Sequence, residues 1–291
     1  MERKLSVLVA LVVVVFVFAL RLRSGRRSMI ARSWPANLAH RGAADSAPEN
    51  TLEAFRLAVE SGAGGLELDV HLTRDGHLVV IHDPTLDRTT NLAGAVAGMG
   101  LDEVREADAG YGFSPDGGKT HPFRGMALRI PTLAEVLREC PGVVVNIDMK
   151  ADRPGIEAAV HEVLRERDAA GRALVASSRF GAVRRFREIS GGRISTGASR
   201  WETAVFLLAC NLRLERLLVP EYDALQVPPT HRGIPLVTRR FVRAAHARNV
   251  RVDAWTINEK EQMRRLLDLG VDVIMTDRPG DLAEVLRERE Q

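Results

Sequence analysis

A chain of 291 residues with 45% hydrophobic and 27% charged side chains has ordinary globular composition, without bias toward disorder or low complexity. Its formal charge of +3 is unevenly placed: residues 1–33 hold seven Lys/Arg and one acid, leaving 34 basic and 37 acidic residues in the remainder. The basicity belongs to the N-terminal segment, which removes the main argument for a nucleic-acid partner.

Residues 1–33 read as a membrane anchor with a basic flank. Leu5–Leu20 is an uncharged apolar run interrupted only by Ser6. As a helix it reaches about 24 Å, a little short of a ~30 Å hydrocarbon core. Snorkelling by Lys4, Arg21 and Arg23 covers the difference. Arginines follow directly and no small-residue cleavage motif precedes Arg21, which favours a retained single-pass transmembrane helix over a cleaved signal peptide. More positive charge follows the run than precedes it, so the large domain is expected on the cytoplasmic side. Cys140 and Cys210 have neither metal-type nor redox-type spacing and read as buried free thiols.

Beyond the linker Ser33–Asn37, strand-like and helix-like stretches alternate to the end of the chain. Leu38–Arg41 reads as a strand, followed by a helix capped by Asn50, with Leu52, Phe55 and Val59 on its buried face. Leu66–Leu72 and Leu78–Ile81 read as strands joined by the turn Thr73-Arg74-Asp75-Gly76. A helix opens at Pro131. Strand–helix pairs then follow: Val143–Met149 with Ile156–Arg167, Ala173–Ala176 with Val183–Ile189, and Val252–Trp255 with Glu259–Leu269. Val273–Met275 precedes a last helix beginning near Asp281. Repeated β–α alternation predicts a parallel sheet, and the number of units predicts a TIM (β/α)8 barrel over residues 34–291. Leu92–Arg129, rich in glycine and poor in periodicity, reads as an insertion covering the active face. Arg193–Pro235 resists parsing.

Two strands do not look like ordinary barrel core. Alternation sets Leu66, Leu68, Val70 and Leu72 on one face and Glu67, Asp69 and His71 on the other. Helices cover the outside of a parallel barrel, so the two carboxylates would point inside. Unpaired charges there cost several kcal/mol each and raise one another's pKa, and a divalent cation removes both problems. In Val143–Lys150, the residues Asn146, Asp148 and Lys150 share a face in the same way. Glu67, Asp69 and Asp148 would supply three hard oxygen ligands, suited to Ca²⁺ or Mg²⁺. His40-Arg41-Gly42 ends the first strand and His82-Asp83-Pro84 ends the one after Glu67 and Asp69. Two histidines at strand ends on one barrel face are placed to give and take protons, and Arg41 offers a fork for phosphate.

These residues stand in an ordered series of motifs. Ala39-His40-Arg41-Gly42, Pro48–Phe55, Glu67-Leu68-Asp69-Val70, His82-Asp83 and Arg88-Thr89-Thr90 open it, and Trp255-Thr256-Ile257-Asn258, Gly270-Val271-Asp272 and Thr276-Asp277-Arg278-Pro279 close it. Together, from about Leu38 to Gly280, they resemble the glycerophosphodiester phosphodiesterase family. The resemblance implies metal-dependent hydrolysis of a glycerophosphodiester to an alcohol and glycerol 3-phosphate. It also implies roles: His40 and His82 as the acid/base pair, Glu67, Asp69 and Asp148 as metal ligands, Arg41 and Lys150 as phosphate contacts, and Trp255 against the alcohol or lipid portion. His82 is a competent ligand too, so a place in the metal shell stays open for it. Many family members have glutamate where this chain has Asp148. The Asn-Ile-Asp-Met-Lys sequence is more similar to the membrane-bound branch acting as lysophospholipase D, which releases lysophosphatidic acid from lysophospholipids. A non-catalytic, membrane-tethered binding module and a phospholipase C-type enzyme are the other readings.

Overall fold

The computed structural model describes residues 34–150 and 153–290. The apolar run Leu5–Leu20, read above as an anchor, lies outside them. Among the described residues, no helix is long and apolar enough to cross a membrane.

In chain order the strands are β1 (Asn37–His40), β2 (Gly65–Leu72), β3 (Leu78–Val80), β4 (Val144–Met149), β5 (Ala173–Ala176), β6 (Ser195–Thr196), β7 (Ala224–Val227), β8 (Thr230–His231), β9 (Ile234–Pro235), β10 (Arg251–Ala254) and β11 (Val273–Thr276). All but β3, β8 and β9 run parallel in the order β6-β5-β4-β2-β1-β11-β10-β7. One bridge, Gly197 to Ala224, joins the two ends of that row. The Asp223 N–H to Thr196 O and Ala198 N–H to Ala224 O bonds, both 2.8 Å, reinforce it. The sheet is therefore an eight-stranded parallel barrel of TIM type with one thin seam, as the alternation predicts.

Outward side chains of β2 and β4 pack with Phe55, Val136, Val160 and Phe186 of the covering helices. The opposite half of the barrel packs in the same way around Phe206, Phe241 and Met263. Inside, Leu38, Val144, Val273, Leu174 and Ala224 gather around Trp34, which precedes β1 at the N-terminal pole. Next to this apolar plug lies a buried polar layer. Arg251 stacks 4.3 Å from the Trp34 ring and bonds Asp253 through two nitrogens, and Gln226 bridges Asp253 and Asn146. The functional groups occupy the opposite, C-terminal mouth.

One expectation needs correction, and two stretches gain definition. Asn50 does not cap the first helix, Leu52–Glu60. Thr51 does, accepting from the Ala54 N–H at 3.2 Å, while Asn50 turns its amide to Asp69. The buried face is accordingly Ala54, Phe55 and Ala58, with Val59 left 38% exposed. Arg193–Pro235 resolves into β6, a helix over Arg200–Leu212, β7 and the β8–β9 hairpin. It resisted parsing because strands of two residues carry no periodicity. Finally, β3 is no barrel strand: it runs antiparallel to β2. The stretch after it, including 92–129, folds against it around Leu86, Val96, Val104 and Ile130.

Candidate active site

The antiparallel course of β3 brings the two histidines together. Along one edge of β2, the carbonyl of Glu67 accepts from Arg41 N–H and the carbonyl of Asp69 accepts from Ile81 N–H, each at 3.0 Å. Carbonyls two residues apart point to the same edge. The end of β1 therefore meets the end of β3 head-on, and His40 and His82 arrive at one place from opposite directions. After β1 the chain must turn at once. Arg41 takes a left-handed backbone (φ 55°), and a Cβ on Gly42 (φ 88°) would stand 2.7 Å from Ala54 of the first helix.

The three predicted carboxylates converge. Oxygens of Glu67, Asp69 and Asp148 lie within 4.8 Å of one another. The register explains this: Asp69 is level with Asp148 on adjacent strands, and Glu67 is one inward position nearer the pole. Asp69 is fully buried and Glu67 nearly so. Burial, and then the neighbouring Asp69 charge, push Glu67 up to about 8. Burial also acts on Asp69, but Lys150 and Arg41 outweigh it and hold that carboxyl below the usual range. Lys150 Nζ lies 2.7 Å from Asp148 Oδ2 and 3.1 Å from Asp69 Oδ1. Burial disfavours the ammonium, yet those two acids raise its pKa. Asp69 Oδ1 still lacks a hydrogen bond, its contact to Lys150 being one of charge alone. A buried acceptor without a donor, among three hard oxygen ligands, fits a divalent cation of the Ca²⁺ or Mg²⁺ kind. His82 is not part of this ligand group.

Each histidine is oriented by an aspartate. His40 Nδ1 is 2.7 Å from Asp277 Oδ1, and Asn258 Nδ2 holds the other Asp277 oxygen at 2.7 Å. His40 Nε2 lies 4.0 Å from Glu67 Oε2. Burial lowers the His40 pKa, but the Asp277 bond and the Glu67 charge prevail and raise it. His82 Nδ1 is 2.6 Å from Asp83 Oδ1, and His71 Nε2 lies 3.0 Å from the His82 carbonyl oxygen. With both Nδ1 atoms engaged, each ring has only Nε2 left for a further partner.

Arg41 donates to Glu49 at 2.9 Å and places Nε 3.2 Å from Asp69 Oδ2. Glu49 also accepts two bonds from Arg88, each 2.8 Å, and Arg88 Nε donates to Asp83 at 2.6 Å. Arg88 thus clamps the acid that orients His82 to the acid that orients Arg41. Trp255 stands apart, at the end of β10 and 41% exposed on the rim.

Sequence reasoning assigned no role to Asp277, Asn258, Glu49 or Arg88, and only a helix cap to Asn50, although all lie inside the motifs above. Loop residues have no face periodicity, so nothing in their spacing says what they touch.

Comparison with known proteins agrees with the fold. The glycerophosphoryl diester phosphodiesterase family matches residues 40–281. A glycerophosphodiester phosphodiesterase of Caldanaerobacter subterraneus subsp. tengcongensis is 36% identical over 256 residues, covering 86% of this chain and 97% of its own. One from Bacillus altitudinis is 35% identical over 261 residues, covering 86% and 97%. Among solved structures, a glycerophosphoryl diester phosphodiesterase domain from Mycobacterium tuberculosis shares the fold with TM-score 0.77 at 23% identity, over 87% of this chain and 99% of that one. An Oleispira antarctica phosphodiesterase in complex with the product sn-glycerol-3-phosphate has TM-score 0.69 at 27% identity, over 88% and 99%. This chain belongs to the glycerophosphoryl diester phosphodiesterase family and is a phosphoric diester hydrolase.

Proposed function

We propose that the chain cleaves glycerophosphodiesters to glycerol 3-phosphate and a free alcohol by histidine acid/base catalysis at a divalent-metal site. The observation that carries this reading is the meeting of two aspartate-held histidines with three convergent carboxylates at one barrel mouth. Glu67, Asp69 and Asp148 would hold the ion, which when bound supplies positive charge to polarise a phosphoryl oxygen. Arg41 and Lys150 bind the remaining phosphate charge, their side chains already fixed by Glu49 and Asp148. One histidine takes the proton of the attacking hydroxyl and the other protonates the leaving alcohol. Attack by water gives glycerol 3-phosphate directly, whereas attack by a neighbouring glycerol hydroxyl gives a cyclic phosphate that water then opens, with the histidines exchanging roles. Trp255 covers the alcohol side of the pocket.

A second substrate, lysophospholipid, is favoured by the Asn146–Lys150 sequence and by the apolar run Leu5–Leu20, which on this reading holds the enzyme to a membrane with the barrel on the cytoplasmic side. One experiment addresses both substrates: purified protein with Ca²⁺ or Mg²⁺ is given glycerophosphocholine and lysophosphatidylcholine in parallel. Glycerol 3-phosphate from the first supports the main reading, and lysophosphatidic acid from the second supports lysophospholipase D. His40→Ala should lower turnover by roughly 10²–10⁴-fold with an unchanged circular dichroism spectrum. Near-normal turnover in that variant removes His40 from the chemistry, and release of no alcohol from any diester ends the proposal.

A further inference from the structure

Charge is unevenly spread over the folded domain. Between Asp223 and Glu259 the sequence contains six arginines and a single acid, Asp253, although residues 34–291 as a whole are slightly acidic. Asp253 is fully buried in the barrel interior and paired with Arg251, so it offsets nothing outside. Arg251 is buried with it and Arg240 pairs with Glu215, leaving Arg232, Arg239 and Arg243 exposed without an acid partner among the described residues.

The first part of the stretch and Trp255 form one arc of the catalytic mouth, while Arg248 and Arg251, at the turn into β10, lie toward the opposite pole. Strands β6, β7 and β10 are neighbours around the ring. The helix after β6 opens with Arg200 and Trp201. The β8–β9 hairpin leaves β7 directly, turning at Arg232-Gly233 with both residues at positive φ. Trp255 ends the arc, its N–H bonded to the Val227 carbonyl at 3.3 Å. Pro228, Pro229 and Pro235 restrict the hairpin's backbone.

This arc exposes large apolar groups beside its cations. Ile234 is 65% exposed, Trp201 51% and Trp255 41%. Arg200, Arg232 and Arg239 are exposed, and among the described residues none has an ion pair or a side-chain hydrogen bond. Arginine with tryptophan and an aliphatic tip suits the boundary between anionic headgroups and acyl chains. A nucleic acid would use the arginines but leave Ile234 without an aliphatic partner.

We propose that this arc docks on an anionic lipid surface and turns the active-site mouth toward the bilayer. The proposal rests on the function above and adds where substrate is collected. Trp34 enters the barrel at the opposite pole, so the chain length must permit such an orientation. The eight residues of β2 rise about 26 Å, and residues 21–33 can reach about 43 Å at full extension. An apolar segment at Leu5–Leu20 and this arc can therefore meet the same membrane.

The test uses the full chain, tryptophan fluorescence, and vesicles of brominated phosphatidylglycerol or brominated phosphatidylcholine. Anionic vesicles should quench the fluorescence, and Arg232→Glu/Arg239→Glu/Ile234→Ser should weaken that quenching about tenfold or more in lipid concentration. The same variant should retain glycerophosphocholine turnover, since these side chains lie outside the catalytic groups. Equal quenching of variant and parent, or equal quenching by neutral vesicles, would overturn the proposal, because insertion near Trp34 alone would behave that way. An RNA mobility shift lost in the variant, without quenching of the parent, would overturn it in favour of a nucleic-acid surface. Glycerophosphocholine turnover without quenching would sink the docking and leave the proposed function standing.

Discussion

His40 and His82 each give Nδ1 to an aspartate, and the aspartates are secured in different ways. Asp277 is held by a neutral donor, Asn258, whereas Asp83 is held by the cation Arg88. Asp277→Asn keeps the size of the side chain but loses the charge that favours protonated His40; Asn258 claims the one oxygen left, so the amide NH2 faces His40 Nδ1 and imposes the other tautomer. Turnover should fall roughly 10²–10⁴-fold with KM nearly unchanged, read by steady-state kinetics on glycerophosphocholine. Arg88→Lys tests the clamp: a single ammonium cannot serve Glu49 and Asp83 through several nitrogens at once. We expect about a tenfold loss in kcat/KM, since both Arg41 and His82 lose their fixed partners. Arg88→Lys kinetics indistinguishable from the parent would make the clamp a surface pairing of no consequence. At this scale the sequence announced Glu67 and Asp69, because strict alternation in a buried strand leaves charged residues nowhere but the interior. It was silent on Arg88 and Asp277, whose partners lie 39 and 237 residues away.

Among the elements, β3 decides the geometry of the mouth. The tight turn Thr73–Gly76 implies that this three-residue strand returns antiparallel, but nothing in the chain says that the return delivers His82 to His40. Helices such as Ile156–Glu166 and Lys260–Leu269 were legible through their 3.6-residue stripes, while Arg200–Leu212, with a continuous apolar run over Ala204–Cys210, and the two-residue β6 were not. The helix after β6 depends on a capping box: Ser199 Oγ accepts from Glu202 N–H at 3.3 Å, and Glu202 accepts from Ser199 N–H at 2.8 Å. Glu202 is also buried against Arg187, which bonds Thr196 of β6 and the Gly197 carbonyl beside the barrel seam. Ser199→Ala should cost about 1–2 kcal/mol in urea unfolding. A change near zero would show that the Arg187 pair alone holds this helix start.

For the whole molecule, the barrel is closed at one pole by Trp34 and its apolar neighbours and charged at the other. The buried Arg251–Asp253 pair lies between the two regions, stacked on Trp34 and linked through Gln226 to Asn146. At the charged pole, the proposed divalent ion would make two buried acids tolerable together by joining them. Glu67 has its folded-state pKa raised from 4.5 to about 8, so without metal its neutral form is the favoured one. That contribution is complete below 4.5 and fades as pH rises through about 8. The direct measurement is the melting temperature of the chelated protein against pH, with and without saturating Ca²⁺ or Mg²⁺, for the parent and Glu67→Gln. The parent should lose stability between pH 5 and 9 when chelated, and metal should restore roughly 5 °C or more at the alkaline end. Glu67→Gln should flatten the chelated profile and respond much less to metal. A parent whose melting temperature ignores both metal and pH over that range would contradict the account.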